Sequence, residues 1–474
     1  MSAAPQRRQA STSRGSNSIA VACGLLLLAG CAHYPVNARL TQYNPDAGYR
    51  NRILVHGDNS ESLLVMLAFS GGGHRAAALS YGVLEELART DIYWEGKHKR
   101  LLDEVDMISA VSGGSFTAAY YALFGDEIFT EYENVFLKQN IQQQLFWRLL
   151  SPLNWPRYAS PYFDRSDMAA EFYDRHVFRG KTFGDLAQDR RPPFLVLNAT
   201  DMSSGAHFEF TQDVFDLLCS DLSSFPVGRA VASSSAVPVV LTPITINSYA
   251  GNCGSTELPW VQTKLAQSDS SSRFYQKVQE LRTFRDTEHH PYLHLLDGSL
   301  ADNLGLRAPM EDTLALGGTR EALQFPRLNR PRKVVIIVVN ATVHRDLGWD
   351  KRAISPSLVQ VSVASANITV DRYSFETMQA FRDAMRQWEA ELNGPGTEPV
   401  QFYPIEVSFQ RLTDPKERAY FDGLPTSFNL PPGALNRLRE VAGRLLRESE
   451  SYQELLCDLA SEEHHITNYE RKHP

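Results

Sequence analysis

VDMISAVSGGS, residues 105–115, is an apolar run that passes directly into a glycine turn. Val105–Val111 is partly β-branched, which suits a strand, and the chain from Ser115 to Leu123 has helical character. A serine with small neighbours between a strand and a helix is the layout of a nucleophile elbow. The sharp turn tolerates only small flanking residues, and the helix N-terminus favours negative charge developing nearby. Ser112 occupies that position. The plainer reading is that Ser112 is an N-cap whose side chain closes the first helical turn.

The same strand-to-helix grammar recurs on either side. Leu63–Phe69 (LLVMLAF) is followed by Gly71-Gly72-Gly73-His74-Arg75 and a helical stretch to Arg89. Phe194–Asn198 (FLVLN) and Val334–Asn340 (VVIIVVN) are further apolar runs of strand composition. Continuous apolar strands alternating with helices predict an α/β fold whose mostly parallel sheet is covered on both faces. Three glycines after a strand leave backbone N–H groups open to a substrate, as an oxyanion hole requires. Arg75 is placed to fix that loop by bonding carbonyls. A phosphate loop is disfavoured, because no Gly-Lys-Ser/Thr ending follows. A third strand end, Leu293–Leu296, leads to Asp297-Gly298-Ser299, and a carboxylate there can orient or deprotonate a nucleophile. Asp-Gly is also a common turn signal, and Asp302 and Asn303 read as turn or cap residues.

Taken in order, the Gly71–Arg75 loop, Ser112 and Asp297 resemble the motifs of the patatin-like phospholipase family. So do Gly82-Val83-Leu84, Asn198-Ala199-Thr200-Asp201 and the stretch Ala232–Pro238. The resemblance spans roughly Leu63 to Asn340. It implies a three-layer α/β/α patatin-like fold with a Ser112–Asp297 dyad. Gly71, Gly72, Gly73 and Arg75 would form the oxyanion loop, and no cofactor would be needed. Ala110 replaces the first glycine of the elbow motif, and Ser299 replaces the small residue after Asp-Gly. Neither change removes a reacting group. The activity implied is that of a serine lipid acyl hydrolase, of phospholipase A, lysophospholipase or esterase type. The alternatives are an acyltransferase with the same dyad and a non-catalytic envelope lipoprotein that keeps the fold. A rival Ser-His-Asp triad would call on His344, since His464 and His465 lie in a polar tail. His289, His290 and His294 fit no zinc signature well, so no metal is expected.

The N-terminus supplies an address. Residues 1–30 hold Arg7, Arg8 and Arg14, no acid, and an apolar run from Ile19 to Leu28. That is a secretory leader, too short to span a bilayer. Its end, Leu28-Ala29-Gly30-Cys31, resembles a bacterial lipobox, which makes Cys31 the expected lipidation site. In such lipoproteins Ala32, in place of Asp, implies sorting to the outer membrane, here on its periplasmic side. Cleavage would leave the chain three charges more negative than its full-length value of −8. Membrane lipids would then be the substrate, and lipid chains on Cys31 rather than basic residues would anchor the protein. Cys219 and Cys253 are the best candidates for a disulfide in an oxidising compartment, and Cys457 is left over.

The 474 residues are 43% hydrophobic and 22% charged, which excludes a disordered chain. The acidic balance and lack of basic runs exclude nucleic acid as a partner. The expected organisation is a leader (1–30), a tether and lead-in (31–60), a catalytic domain (61–345), and a mainly helical C-terminal region (346–474) that completes or covers it. In that region Phe375–Leu392 reads as a helix. Leu435, Leu438, Val441 and Leu445 share one helical face. Phe146, Trp147, Trp155, Tyr158, Tyr162 and Phe163 form a proline-broken aromatic segment, read as the core of an inserted helical piece or as a lid or acyl-chain wall. The sequence leaves the oligomeric state open.

Overall fold

The computed structural model describes residues 36–51, 59–189, 193–238, 240–254, 259–315, 331–344, 349–351, 353–394, 396 and 398–472. The leader and Cys31 lie outside the described residues. Strand β1 (Leu63–Phe69) runs into helix α1 (His74–Arg89), and β2 (Val105–Val111) into α2 (Gly113–Phe124). Helix α3 (Arg165–His176) precedes β3 (Phe194–Asp201) and β4 (His207–Glu209). Next come α4 (Val227–Ser234), β5 (Ile244–Asn247), α5 (Arg273–Thr283) and β6 (Tyr292–Asp297). The chain closes with β7 (Lys333–Asn340), α6 (Leu358–Leu392), β8 (Gln401–Ser408), α7 (Pro432–Arg447) and α8 (Glu450–Lys472).

These strands form one sheet in the order β8-β7-β1-β2-β3-β6-β5, with β4 also paired to β3. From β8 to β3 every pairing is parallel. The β3–β6, β6–β5 and β3–β4 pairings are antiparallel. The sheet is therefore mixed but mostly parallel.

Strand alternation divides the core into two layers. Leu63, Val65, Leu67 and Phe69, with Val335, Ile337 and Val339, pack with residues of α1, α2 and α7. Leu64, Ala68, Val334, Ile336 and Val338 pack on the other face against Met378, Phe381 and Met385 of α6. Two apolar faces on one strand explain why β1 and β7 carry no polar alternation, and they give the three-layer α/β/α architecture.

Several elements differ from the sequence reading or go beyond it. Helix α6 begins at Leu358, well before Phe375, because Ser357 and Gln360 cap it reciprocally. Strand β8 has no counterpart in the sequence reading. It carries Pro404 in its middle, which an edge strand tolerates because one set of its N–H groups has no partner strand. Through β8 the C-terminal region shares the sheet of the preceding domain. The Leu435–Leu445 face of α7 is buried in the α1 layer. Cys219 and Cys253 form a disulfide with their Cα atoms 5.5 Å apart. Their carbonyls accept from Leu40 and Tyr43, so the same loop anchors the lead-in segment. Cys457 is a free, exposed thiol.

Candidate active site

Ser112 stands between β2 and α2 with φ 50° and ψ −118°, a conformation that costs a non-glycine residue about 1–3 kcal/mol. Its side chain does not cap α2. The Oγ hydroxyl instead donates to Asp297 Oδ2 at 2.8 Å, and both residues are buried. The N-cap reading of Ser112 is therefore corrected: the strained turn aims the hydroxyl away from the helix, toward a carboxylate. The main chain at the elbow is held from outside. The Ser112 N–H donates to Ser234 Oγ at 2.9 Å, and that oxygen also bonds Ser115 Oγ at 2.9 Å.

Asp297 reaches Ser112 because of the change in strand direction. β3 runs past the end of β2, where Val111 pairs with Asn198. β6 returns antiparallel and sets Asp297 opposite Ala199, one residue further along. The Asp297 backbone is fixed on both sides. Its N–H donates to Ala236 O at 3.0 Å, and its carbonyl accepts from Thr200 Oγ1 at 2.9 Å. Its second carboxylate oxygen, Oδ1, accepts the Ser299 N–H at 2.9 Å. Burial pushes this carboxyl above its ordinary pKa, and the bonds from Ser299 and Ser112 offset only part of that push. Ser299, a departure from the family pattern, thus helps to hold the carboxylate.

The Gly71–Gly73 loop lies against the elbow. A Cβ on Gly113 would fall 2.6 Å from Gly73 N, and closer still to Gly73 O. A Cβ on Gly71 would fall 2.7 Å from Asn303 Oδ1 and 3.3 Å from Ser112 Cβ. Only glycine lets these backbones approach so closely. The four residues expected to form the oxyanion hole divide into separate roles. The Gly71 N–H is already donated to Asn303 O at 3.0 Å, so it is not a free donor, which corrects the expectation for that residue. Among the described residues, Gly72 and Gly73 N–H carry no hydrogen bond. Arg75 is buried and braces the loop rather than donating into it. Its guanidinium bonds Ala341 O and Leu424 O, each at 2.9 Å, and Thr426 Oγ1 at 3.1 Å. His74 N–H donates to Ser427 O at 2.9 Å, so the C-terminal region helps to build the loop.

Two positioning residues, Ser234 and Asn198, have no role assigned from sequence, and a third, Asn303, is read there only as a turn or cap residue. Ser234 holds the elbow amide. Asn198 Nδ2 bonds Ser109 Oγ at 3.0 Å and Ala110 O at 2.9 Å, tying β3 to the end of β2. Asn303 links the glycine loop to Thr342 and to Ser374 of α6. Ser234 and Asn198 lie in stretches that resemble the family, which was the available signal. Asp302 acts as a local cap, accepting the Leu304 and Arg307 amides.

Among the described residues, no histidine is hydrogen-bonded to Ser112 or Asp297. His344 Nδ1 is bonded to Gln410 at 2.9 Å, and its amide donates to Asp422. His289 pairs with Asp286 and His294 with Thr245, so that trio does not converge. His464 and His465 have side chains outside the described residues. The one group among the described residues with metal-ligand spacing is His207, Glu209 and Glu311. Lys277 of α5 occupies its charge centre, 2.5 Å from Glu311 and 3.8 Å from Glu209. Burial pushes Glu311 up, but Lys277 and His207 outweigh it and hold the carboxylate well below its usual range. The cluster is an internal ion-pair network. His207 Nε2 connects it to Asn198 Oδ1 at 2.8 Å.

The fold is a three-layer α/β/α architecture that carries a buried, hydrogen-bonded serine–aspartate pair at the strand ends. Residues 67–310 match the family model of the patatin-like phospholipases, and the chain belongs to that family. Among solved structures, human GIVD cytosolic phospholipase A2 is similar at 13% identity and a TM-score of 0.43, covering 85% of this chain and 63% of that one. The same human enzyme with a methyl γ-linolenyl fluorophosphonate inhibitor and terbium chloride is similar at 14% identity and a TM-score of 0.35, covering 85% and 60%. The present chain thus spans less than two thirds of the length of those chains. No curated protein sequence matches it.

Proposed function

We propose that this chain hydrolyses lipid esters through an acyl-enzyme on Ser112, with Asp297 as its base and no histidine. The observation that carries the reading is the 2.8 Å bond from Ser112 Oγ to a buried carboxylate, made from a strained backbone. As Oγ attacks the ester carbonyl, its proton passes to Asp297 Oδ2. The carbonyl oxygen becomes an oxyanion that the free Gly72 and Gly73 amides and the α2 N-terminus stabilise. Each such donor is worth about 2.7–4 kcal/mol. Asp297 returns the proton to the departing alcohol. Water then attacks the acyl-serine by the same proton route, releasing the fatty acid. The raised pKa of Asp297 makes it a stronger base than an exposed carboxylate.

In this reading the leader is removed and Cys31 is lipidated, which places the enzyme on the outer membrane beside its substrate. Among the described residues, no helix is long and apolar enough to cross a membrane. The test is fatty-acid release from phosphatidylcholine by the wild-type chain and by Ser112→Ala, with fluorophosphonate labelling of Ser112 followed by mass spectrometry. Release and labelling that vanish together in Ser112→Ala support the reading. A wild-type chain that neither releases fatty acid nor takes the label refutes it.

A further inference from the structure

The segment between α2 and α3 is turned inside out. Helix Ile141–Leu150 and the short helix Trp155–Tyr158 bury Phe163 and Met168 with Leu145, Leu149 and Tyr158 in a small cluster of their own. The larger apolar side chains point outward: Leu153 is 87% exposed, Trp147 and Trp155 61% each, Tyr162 60% and Phe146 53%. Neither the core reading nor the wall reading of this aromatic segment accounts for that outer face.

We infer that the outer face of residues 141–163 docks the protein onto a phospholipid bilayer, with Trp147, Leu153 and Trp155 entering the headgroup layer. Three observations favour a lipid surface. First, the chemistry is interfacial: two tryptophans and a tyrosine beside leucines are the side chains that partition to a membrane boundary. Second, the charge fits. From Ile141 to Phe163 the chain has Arg148 and Arg157 and no Asp or Glu, within a protein of net charge −8. Arg157 is paired with Glu171, whereas among the described residues the Arg148 guanidinium contacts the Phe172 ring and His176 and pairs with no carboxylate. Third, the patch is joined to the site. Asp297 N–H is bonded to Ala236 O, the next residues include the exposed Val237 and Val240, and Thr242 bonds Ser166 at the start of α3, just beyond Phe163. The inference rests on the lipid-hydrolase reading for its purpose but not for its test.

The test uses the full chain carrying Cys31→Ser, so that acylation does not mask the patch, and a triple variant of it (Trp147→Ala, Leu153→Ser, Trp155→Ala). Vesicles of phosphatidylethanolamine and brominated phosphatidylglycerol report tryptophan insertion by quenching. A soluble p-nitrophenyl butyrate assay reports the site alone. The parent should be quenched, and the triple variant should lose that quenching. The variant should also hydrolyse vesicle lipid at least tenfold more slowly while keeping butyrate turnover within about twofold, because the three side chains are exposed. Quenching without turnover would leave the docking intact and overturn the catalytic reading. An unquenched parent overturns the docking, as does a variant that loses butyrate and vesicle activity equally. Light scattering that shows the parent dimeric and the variant monomeric would assign the face to a second copy of the chain instead.

Discussion

Gly113→Ala is the smallest change that separates the nucleophile from its oxyanion loop. The new methyl would lie 2.6 Å from Gly73 N and closer to Gly73 O, and both are backbone atoms that no rotamer change can move aside. The glycine loop and the start of α2 must part by about 1 Å, an overpacking that costs about 1–3 kcal/mol of stability. The functional cost is larger. A shift of that size displaces the Gly72 and Gly73 amides from an oxyanion on a carbonyl bound to Ser112, and losing one such donor costs about 10²–10³ in rate. The assay is kcat/KM on p-nitrophenyl butyrate, with circular dichroism to confirm the fold. Gly433→Ala is the control, because no atom lies within 4 Å of a Cβ placed there. We expect a loss of about 100-fold or more for Gly113→Ala and none for Gly433→Ala. A folded Gly113→Ala that keeps activity within a few-fold would refute the reasoning that this backbone contact sets the oxyanion geometry.

Further outcomes follow from the same contacts. Asp297 has a raised folded pKa, so the folded state holds its proton more readily than the unfolded chain, and stability from this group is lost as pH rises through the raised value. Asp297→Asn should therefore melt no lower than wild type at pH 7–8 while its esterase activity collapses. By the same shift, the acid limb of the wild-type kcat/KM profile should lie above the ordinary carboxylate range. Arg75→Ala removes the guanidinium bonds to the Ala341 and Leu424 carbonyls and leaves the buried Ala341 carbonyl short of a donor, a loss of about 1–3 kcal/mol, and should lower both the urea midpoint and kcat. Replacing Cys219 and Cys253 by serine opens a loop spanning 34 positions and should cost about 3–4 kcal/mol in urea unfolding, with little change in kcat.

The parts of the fold that could be read directly were those where local pattern and tertiary role agree. β1, β2 and β7 are apolar on both faces because both faces are covered, so their composition alone marks them. β5 and the antiparallel turn of the sheet left no such mark: Ile244–Asn247 is four residues with half-buried alternation, easily taken for loop. β8 was hidden by Pro404. The start of α6 was legible in principle through Ser357 and Gln360, but its early turns are largely exposed and lack a strong apolar period. In the site, Ser112 and Asp297 announced themselves by strand-end position. That Gly71 spends its amide on Asn303 while Gly72 and Gly73 do not is decided by contacts between distant segments, and no local spacing encodes it. The same holds for Ser234, which reaches Ser112 across 122 residues.

The central claim is catalysis by a serine–aspartate pair without histidine. The most direct measurement is kcat/KM on a soluble ester for wild type, Asp297→Asn and His344→Ala, each shown to be folded. The account predicts that Asp297→Asn loses at least 10³-fold and that His344→Ala stays within about twofold of wild type. A His344→Ala chain as inactive as Asp297→Asn, or an Asp297→Asn chain that keeps near-wild-type turnover, would contradict it.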